Sequence, residues 1–515
     1  MTDLLGIADG FLPPKVDLSS WSLEEKLGQL FWVYFEGSEL SPALEEMIQD
    51  YHVGGFIFYS VAGNIQTPPQ VAQLIASMQE RSRIPLWIGI DQEGGPVVRL
   101  TEGVTVFPSA MAVAAAGSLA DAQAMACTLG MELKSLGFNL NFTPVVDVNS
   151  NPYNPIIGIR AFGSHPRQVA DYGLAMLRGY QQAGILCTPK HFPGHGDTYI
   201  DSHLGLPRVD RPLAELQARE LYPFQALIEA GAEAIMTAHV VMPALGSNHP
   251  ATLAPEILTG WLCQRLGFQG LICTDSLTMG AIAQNYGIPQ AAELAFQAGA
   301  DILLFGADPG SSPAIQKAAY AHLLQGLRSE RLSWQQLDRS LRKILALKAR
   351  YRVGSLPQAN PVTGPNPQAL ARRIAQASIT LLKGSLPPLV ADPLLITPVP
   401  SLGELLKQVL PTAQVLPISP QPTPEDWATA LQRAKRAPQI LVGSLDLFRH
   451  PAQVQLFKAL PGEKVIGLAL GSPYDETFLP QIPVYLACYG TTPVSLAALL
   501  EVLLGRIPPQ GCLPV

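Results

Sequence analysis

Cysteine is sparse in this chain: six in 515 residues, at positions 127, 187, 263, 273, 488 and 512, with no C-x-x-C pair. That spacing excludes a disulfide framework and predicts reduced, mostly buried thiols that pack as small hydrophobes. Charge is thin as well. Asp, Glu, Lys and Arg make up 15% of the residues against 48% hydrophobic, which excludes disorder over most of the length. Basic residues are outnumbered 34 to 41, so the net charge is −7 and the basic stripe of a nucleic-acid binder is missing. No apolar run reaches the roughly 18 residues that a membrane helix requires. The opening MTDLLGIADGFLPP has no basic start, apolar stretch or small-residue cleavage site, which predicts a soluble, cytoplasmic protein.

What is present is a regular alternation. Eight short apolar runs rich in β-branched and aromatic residues fall at 30–35, 55–59, 86–90, 140–146, 185–189, 234–238, 271–274 and 302–305. Segments with helical spacing separate them, at 69–83, 119–136, 166–183, 213–230, 254–266 and 289–298. Ser22 and Glu25 offer a capping box for a first helix over 22–30. Continuous apolar strands alternating with helices indicate a parallel sheet buried on both faces. Eight units fit a (β/α)8 barrel; a doubly wound sheet competes, because strand count does not prove closure.

The barrel is expected over 1–350, ending in a helix at about 333–350. The proline- and glycine-rich stretch within 351–370 reads as a linker. Over 371–515, strand-like runs at 379–382, 394–398, 439–443, 465–470 and 483–487 alternate with helical stretches, the last at 494–504. This predicts a smaller three-layer α/β domain.

In a barrel, the C-terminal ends of the strands face the active site. The sequence puts Asp91 and Glu93 (DQEGG), Asp147, Lys190-His191, His239 and Asp275 at five consecutive strand ends. Asp147 alone reads slightly better as the cap of the following helix. The stretch KHFPGHGDTYIDSH at 190–203 holds three histidines and two aspartates beyond its lysine, on a backbone that cannot continue as regular structure. Titratable groups on a loop over a rigid mouth suit a catalytic lid, with a metal-binding or merely hydrogen-bonded loop as the alternative. Asp201 and His203 are two apart, close enough for the carboxylate to orient the imidazole and favour its protonated form, as general acid/base work near neutral pH requires. Asp275, in ICTDSLTMGAI, is expected to stay ionised beside Lys190, Arg99 or Arg160. An ionised carboxylate facing a proton donor across a sugar-sized gap is the arrangement of a retaining glycosidase. The remaining histidines, 52, 165, 249, 322 and 450, have no partner pattern.

At DQEGG (91–95), the 190–203 loop and TDSLTMGA (274–281), the chain resembles glycoside hydrolase family 3, in its β-N-acetylglucosaminidase branch with a histidine acid/base. The likeness covers nearly all of 20–350, and more weakly the tail from YGTTPVSLAALL onward. The resemblance implies that Asp275 is the nucleophile, His203 the acid/base and Asp201 its orienting partner. It also implies that Asp91, Arg99, Arg160, Lys190 and His191 bind the sugar. Pro96 stands where several members carry arginine. The implied substrate is a terminal, non-reducing β-linked N-acetylglucosamine, as in cell-wall fragments, with no cofactor and no metal.

Three other readings stay open. A metal-dependent barrel hydrolase would draw ligands from His191, His195, His203, His239 and Asp275. A β-N-acetylglucosaminide phosphorylase or a β-glucosidase of the same family is the second, the phosphorylase being allowed because a neutral imidazole does not repel phosphate. A catalytically silent sugar-binding protein is the third. Neither nucleic acid nor membrane is an expected partner, and the sequence carries no reading of oligomeric state.

Overall fold

The computed structural model of the protein describes residues 18–355 and 366–515. The expectations for the N-terminal 1–17, and for 356–365 in the middle of the linker, lie outside the described residues. Among the described residues no helix is long and apolar enough to cross a membrane. The six cysteines are free thiols, with Cys187, Cys273 and Cys488 buried.

The first half is a closed barrel. Its strands are β1 (Phe31–Tyr34), β2 (Gly55–Phe58), β3 (Trp87–Ile90), β4 (Leu140–Asn141), β5 (Leu186–Cys187), β6 (Ala234–Met236), β7 (Leu271–Cys273) and β8 (Leu303–Phe305). Parallel ladders run β8–β1–β2–β3–β4–β5, with a separate β6–β7 pair. Two parallel bridges, Phe192 to Thr237 and Cys273 to Ile302, join the pieces into a ring. Closure is what excludes the doubly wound alternative, since such a sheet keeps two free edges. The ladders of β4 and β5 are shorter than the apolar runs that announce them, because Pro144 and Pro189 have no N–H to give a neighbour.

Helices follow the strands, with two departures from expectation. Segment 213–230 is two helices, Leu213–Ala218 and Leu221–Glu229. Pro223 forces the break, because its ring excludes a helical carbonyl at Arg219. Segment 254–266 winds as a π-helix over Glu256–Arg265, Leu266 N–H donating to Trp261 O at 2.9 Å. The first helix, Leu23–Gly28, carries the expected Ser22–Glu25 capping box.

The second half is a six-stranded sheet in the order β11–β10–β12–β13–β14–β9: β9 (Thr380–Lys383), β10 (Leu394–Thr397), β11 (Gln414–Pro417), β12 (Ile440–Ser444), β13 (Val465–Ala469) and β14 (Val484–Ala487). Only β9 is antiparallel. Helices on both faces make it a three-layer α/β sandwich. The barrel helix Ala110–Ala115 inserts Met111, Ala112 and Ala115 into one of its cores. Buried Ser109 donates to Tyr489 O at 2.6 Å, and Cys512 N–H to Ala115 O at 2.9 Å. Apolar burial thus runs continuously from one half to the other.

Candidate active site

Polar side chains converge where the barrel strands end. Asp91 follows β3, Lys190 and His191 follow β5, Asp275 follows β7, and Arg99, Arg160 and His203 reach in from loops. All seven line one cavity of about 260 Å³. Asp201 stands behind His203 and touches the cavity only through it.

The DQEGG turn is built to deliver Arg99. Buried Gln92 accepts the N–H groups of Arg99 (2.9 Å) and Leu100 (3.0 Å), and its amide donates to Leu100 O (2.8 Å). The fold-back places the Arg99 guanidinium 5.4 Å from the Tyr59 ring centroid. Gly95 has φ +57°, and a Cβ there would lie 2.5 Å from the Ser109 Cβ, so the turn accepts no other residue. Pro96 is exposed at the turn and is not part of the cavity wall.

One side of the cavity wall is a cluster of paired charges. Lys190 Nζ donates to Asp91 (2.8 Å) and pairs with Glu93 (2.7 Å). Arg160 meets Glu93 with two parallel bonds, Nε at 2.9 Å and Nη2 at 2.8 Å. Burial disfavours every charge here, but the mutual attraction outweighs it. It holds Glu93 well below the usual carboxylate range and raises Lys190 and Arg160 above theirs.

The 190–203 loop is anchored along its first half. Asp147, fully buried, accepts His191 Nδ1 (2.7 Å) and the N–H groups of His191 (3.3 Å) and His195 (2.7 Å). It therefore fixes this loop, and the expectation that it caps a helix is corrected: the next α-helix starts only at Pro166, with His165 at its cap. Asp197 is held by Arg211 (2.6 Å) and Arg219 (3.2 Å). His195 spends both ring nitrogens on hydroxyls, Thr198 at 2.8 Å and Ser202 at 3.0 Å, and burial lowers its pKa to about 4. The loop tip then docks on the segment after β7. Ala281 N–H donates to Ser202 O (3.0 Å) and Gly280 N–H to His203 O (3.2 Å). A Cβ on Gly280 would sit 2.4 Å from that carbonyl, so the glycine in TDSLTMGA is what lets the two segments meet.

At the tip, Asp201 Oδ1 accepts both the N–H (2.9 Å) and the ring Nδ1–H (2.8 Å) of His203. His203 Nε2 is left to face a ligand. The Asp201 bond, helped by the charges of Asp275, Asp201 and Asp308, outweighs burial and raises the His203 pKa above 6.5. Burial alone would raise Asp201; the N–H donors of His203 hold it below its ordinary value.

Asp275 accepts the Ser276 N–H at 2.7 Å. Burial opposes its ionisation, but the imidazoles of His191, His239 and His203 outweigh burial and hold its pKa down. This corrects the expected source of support, because Lys190 and Arg160 are committed to Asp91 and Glu93. His239 lies outside the cavity lining with both nitrogens occupied, by Thr252 Oγ1 (2.9 Å) and Ser276 O (2.8 Å), so it steadies the backbone beside Asp275. Among the described residues no group of three His, Cys, Asp or Glu is arranged to hold an ion.

Residues 22–347 match the glycosyl hydrolase family 3 N terminal domain. The chain belongs to glycoside hydrolase family 3. It is 38% identical over 371 residues to Beta-hexosaminidase A of Pseudoalteromonas piscicida, a match covering 67% of this chain and 62% of that relative's length. It superimposes with a TM-score of 0.90 on a family 3 β-N-acetylglucosaminidase from Paenibacillus sp. str. FPU-7, at 38% identity and 96% and 98% coverage. A β-glucoside phosphorylase, BglX bound to 2FGlc, follows at TM-score 0.81 and 26% identity, covering 97% and 95%.

Within this family 3 site, three cavity residues were not assigned a role by sequence reasoning. Glu93, two residues from Asp91 in the same motif, is the carboxylate that holds Arg160. Tyr59 and Asp308 follow β2 and β8, so the strand-end rule applied to all eight strands would have found them. Asp308 Oδ2 accepts Ser276 Oγ (2.5 Å) and Thr278 Oγ1 (2.7 Å), with no cation paired to it among the described residues.

Proposed function

We propose that the protein is a retaining exo-β-N-acetylglucosaminidase, releasing terminal non-reducing β-linked N-acetylglucosamine through a covalent glycosyl-enzyme. The observation that carries this is an oriented imidazole, raised in pKa, lining the same cavity as an ionised Asp275. Asp275 attacks the anomeric carbon while His203 Nε2–H gives its proton to the departing oxygen. His203, now neutral, takes a proton from water, which attacks the same carbon and frees Asp275. Asp201 fixes the ring and its tautomer. Asp91 accepts from sugar hydroxyls, while Arg99, Arg160, Lys190 and His191 donate to hydroxyl and acetamido oxygens.

Water is favoured over phosphate as the acceptor. The three fixed cations of the cavity, Arg99, Arg160 and Lys190, share it with four carboxylates, Asp91, Glu93, Asp275 and Asp308, the last with no cation paired to it among the described residues. Free cysteines fit a reducing compartment, which supports amino-sugar fragments of the cell wall in the cytoplasm as the natural substrates.

The test is turnover of paired chromogenic β-N-acetylglucosaminide and β-glucoside, with products analysed in phosphate buffer. The first should be preferred and free sugar released. Asp275→Ala should abolish turnover, and His203→Ala lower it about 10²–10⁴-fold, less for activated leaving groups. No turnover would leave a sugar-binding protein, and sugar phosphate a phosphorylase.

A further inference from the structure

The segment from Asn149 to Arg160, after β4, is held on three sides. Towards the acid/base loop, Asn151 Nδ2 donates to Thr198 O and Asn154 Nδ2 to His195 O, each at 2.8 Å. Towards the cavity it supplies Ile157 and Arg160 as wall, with Arg160 Nη1 donating to Ile156 O at 3.0 Å. Towards the second domain it projects Tyr153, whose ring lies 6.2 Å from that of Phe448 and 5.9 Å, edge on, from that of Phe478. Arg449 Nη1 adds a bond to Pro155 O at 3.2 Å.

The two phenylalanines are tied to each other inside the second domain. Phe448 follows β12, and Phe478 ends the short helix Asp475–Phe478 after β13. Buried Asp475 accepts the Leu447 N–H at 2.8 Å, so a single carboxylate fixes the segments that carry both rings. One chain of contacts therefore runs from the second sheet through Tyr153 to Arg160 and to the base of the His203 loop.

We propose that Tyr153 is a positioning residue and that the second domain tunes catalysis through it, the Phe448–Phe478 pair clamping the segment that sets Arg160 and the acid/base loop. This rests on the glycosidase reading for its kinetic readout, but the clamp has a readout of its own. Removing the Tyr153 ring breaks both aromatic contacts of the clamp and should lower kcat/KM about tenfold. Most of the loss should appear in KM, through Arg160.

The experiment uses the full chain and a small aryl β-N-acetylglucosaminide. Tyr153→Ala and Phe448→Ala should each lower kcat/KM, the double variant should lose no more than the worse single one, and Tyr153→Phe should restore the wild-type value. Hydrogen exchange should quicken at 149–160 and 195–204 in Phe448→Ala. Silence of Phe448→Ala in both readouts while Tyr153→Ala stays impaired would make Tyr153 a direct substrate contact and overturn the proposal. So would a lowered unfolding midpoint with unchanged kcat/KM. If the wild type turns over no β-N-acetylglucosaminide, the functional reading fails, and unchanged exchange in Phe448→Ala sinks the clamp separately.

Discussion

Replacing Glu93 by Gln changes almost nothing in shape and removes one negative charge from a closely paired set. Asp91 and Glu93 face Lys190, Arg160 and, 3.7 Å from Asp91, Arg99, so the substitution leaves three cations on one anion at a site where Glu93 and Lys190 are 8% and 2% exposed. Glu93 accepts Arg160 Nε and Nη2 and pairs with Lys190 Nζ. A glutamine oxygen can keep the Nη2 and Nζ partners, but its NH2 then faces the Nε–H, donor against donor. Breaking a buried pair in this way costs about 3–5 kcal/mol, and isosteric Gln adds no cavity term. We expect a loss of about 3 kcal/mol, read by denaturant unfolding with tryptophan fluorescence, since five of the six tryptophans (all but Trp427) lie in the barrel half. Freed Arg160 and Lys190 should also shift, lowering kcat/KM about a hundredfold. The sign with pH follows from the depressed carboxyl. Its stabilisation is complete above the unfolded value, about 4.3, and disappears as pH falls through the folded one. The difference between wild type and Glu93→Gln should therefore be flat from pH 5.5 to 8 and narrow below about 4.3. A difference under about 1 kcal/mol, or one that does not narrow in acid, would refute the paired cluster.

Asp201→Asn removes the largest support for protonated His203, so the basic limb of the kcat/KM profile should move to lower pH. Asp275→Asn should likewise lower the His203 pKa, measured by imidazole NMR in the resting protein; an unmoved value would separate the two groups. Lys348 is buried against Gln29 Oε1 (2.6 Å) and Gly54 O (3.2 Å), with its pKa pushed down to about 7. Because the folded value is depressed, the penalty is full below pH 7 and fades towards 10.5, so Lys348→Met should stabilise by about 1–3 kcal/mol at pH 6 and by less at each step up to pH 10. A pH-independent difference in unfolding midpoint would contradict this.

Legibility in the sequence tracked burial. All eight barrel strands announce themselves because each is covered on both faces, and burial on both faces writes an uninterrupted apolar run into the sequence. Strand β11 escapes detection for the converse reason. It is an edge strand, Gln414 and Pro417 are exposed, and only Leu416 of its four residues is buried. Its polar face and its proline read as loop. The same logic divides the site. Asp91, Lys190, His191 and Asp275 are visible because a charge terminates an apolar run. Glu93 and Asp308 come later, inside turns where a carboxylate is ordinary, and only the fold shows what they face. The commitment of Lys190 and Arg160 to Glu93 is a property of three segments more than sixty residues apart in places, which no local pattern encodes.

That commitment has a mechanistic consequence. If lysine and arginine supported Asp275, their fixed charges would support it equally at every stage, since neither titrates near neutral pH. Imidazoles do not behave that way. His203 owes part of its raised pKa to the negative charge of Asp275, and Asp275 owes part of its lowered one to His203. In the reaction proposed here, the bond from Asp275 to the sugar removes that charge, and the proton affinity of His203 falls at the step where it has surrendered a proton and must next accept one from water. The affinity is restored when the sugar departs and the carboxylate returns. Asp201 and Asp308 keep the ring from dropping so low that it could no longer act as a base. Under the proposed mechanism, an acid that must become a base within one turnover is thus driven by the nucleophile's own change of charge, which requires that the strong cations of the cavity be paired elsewhere.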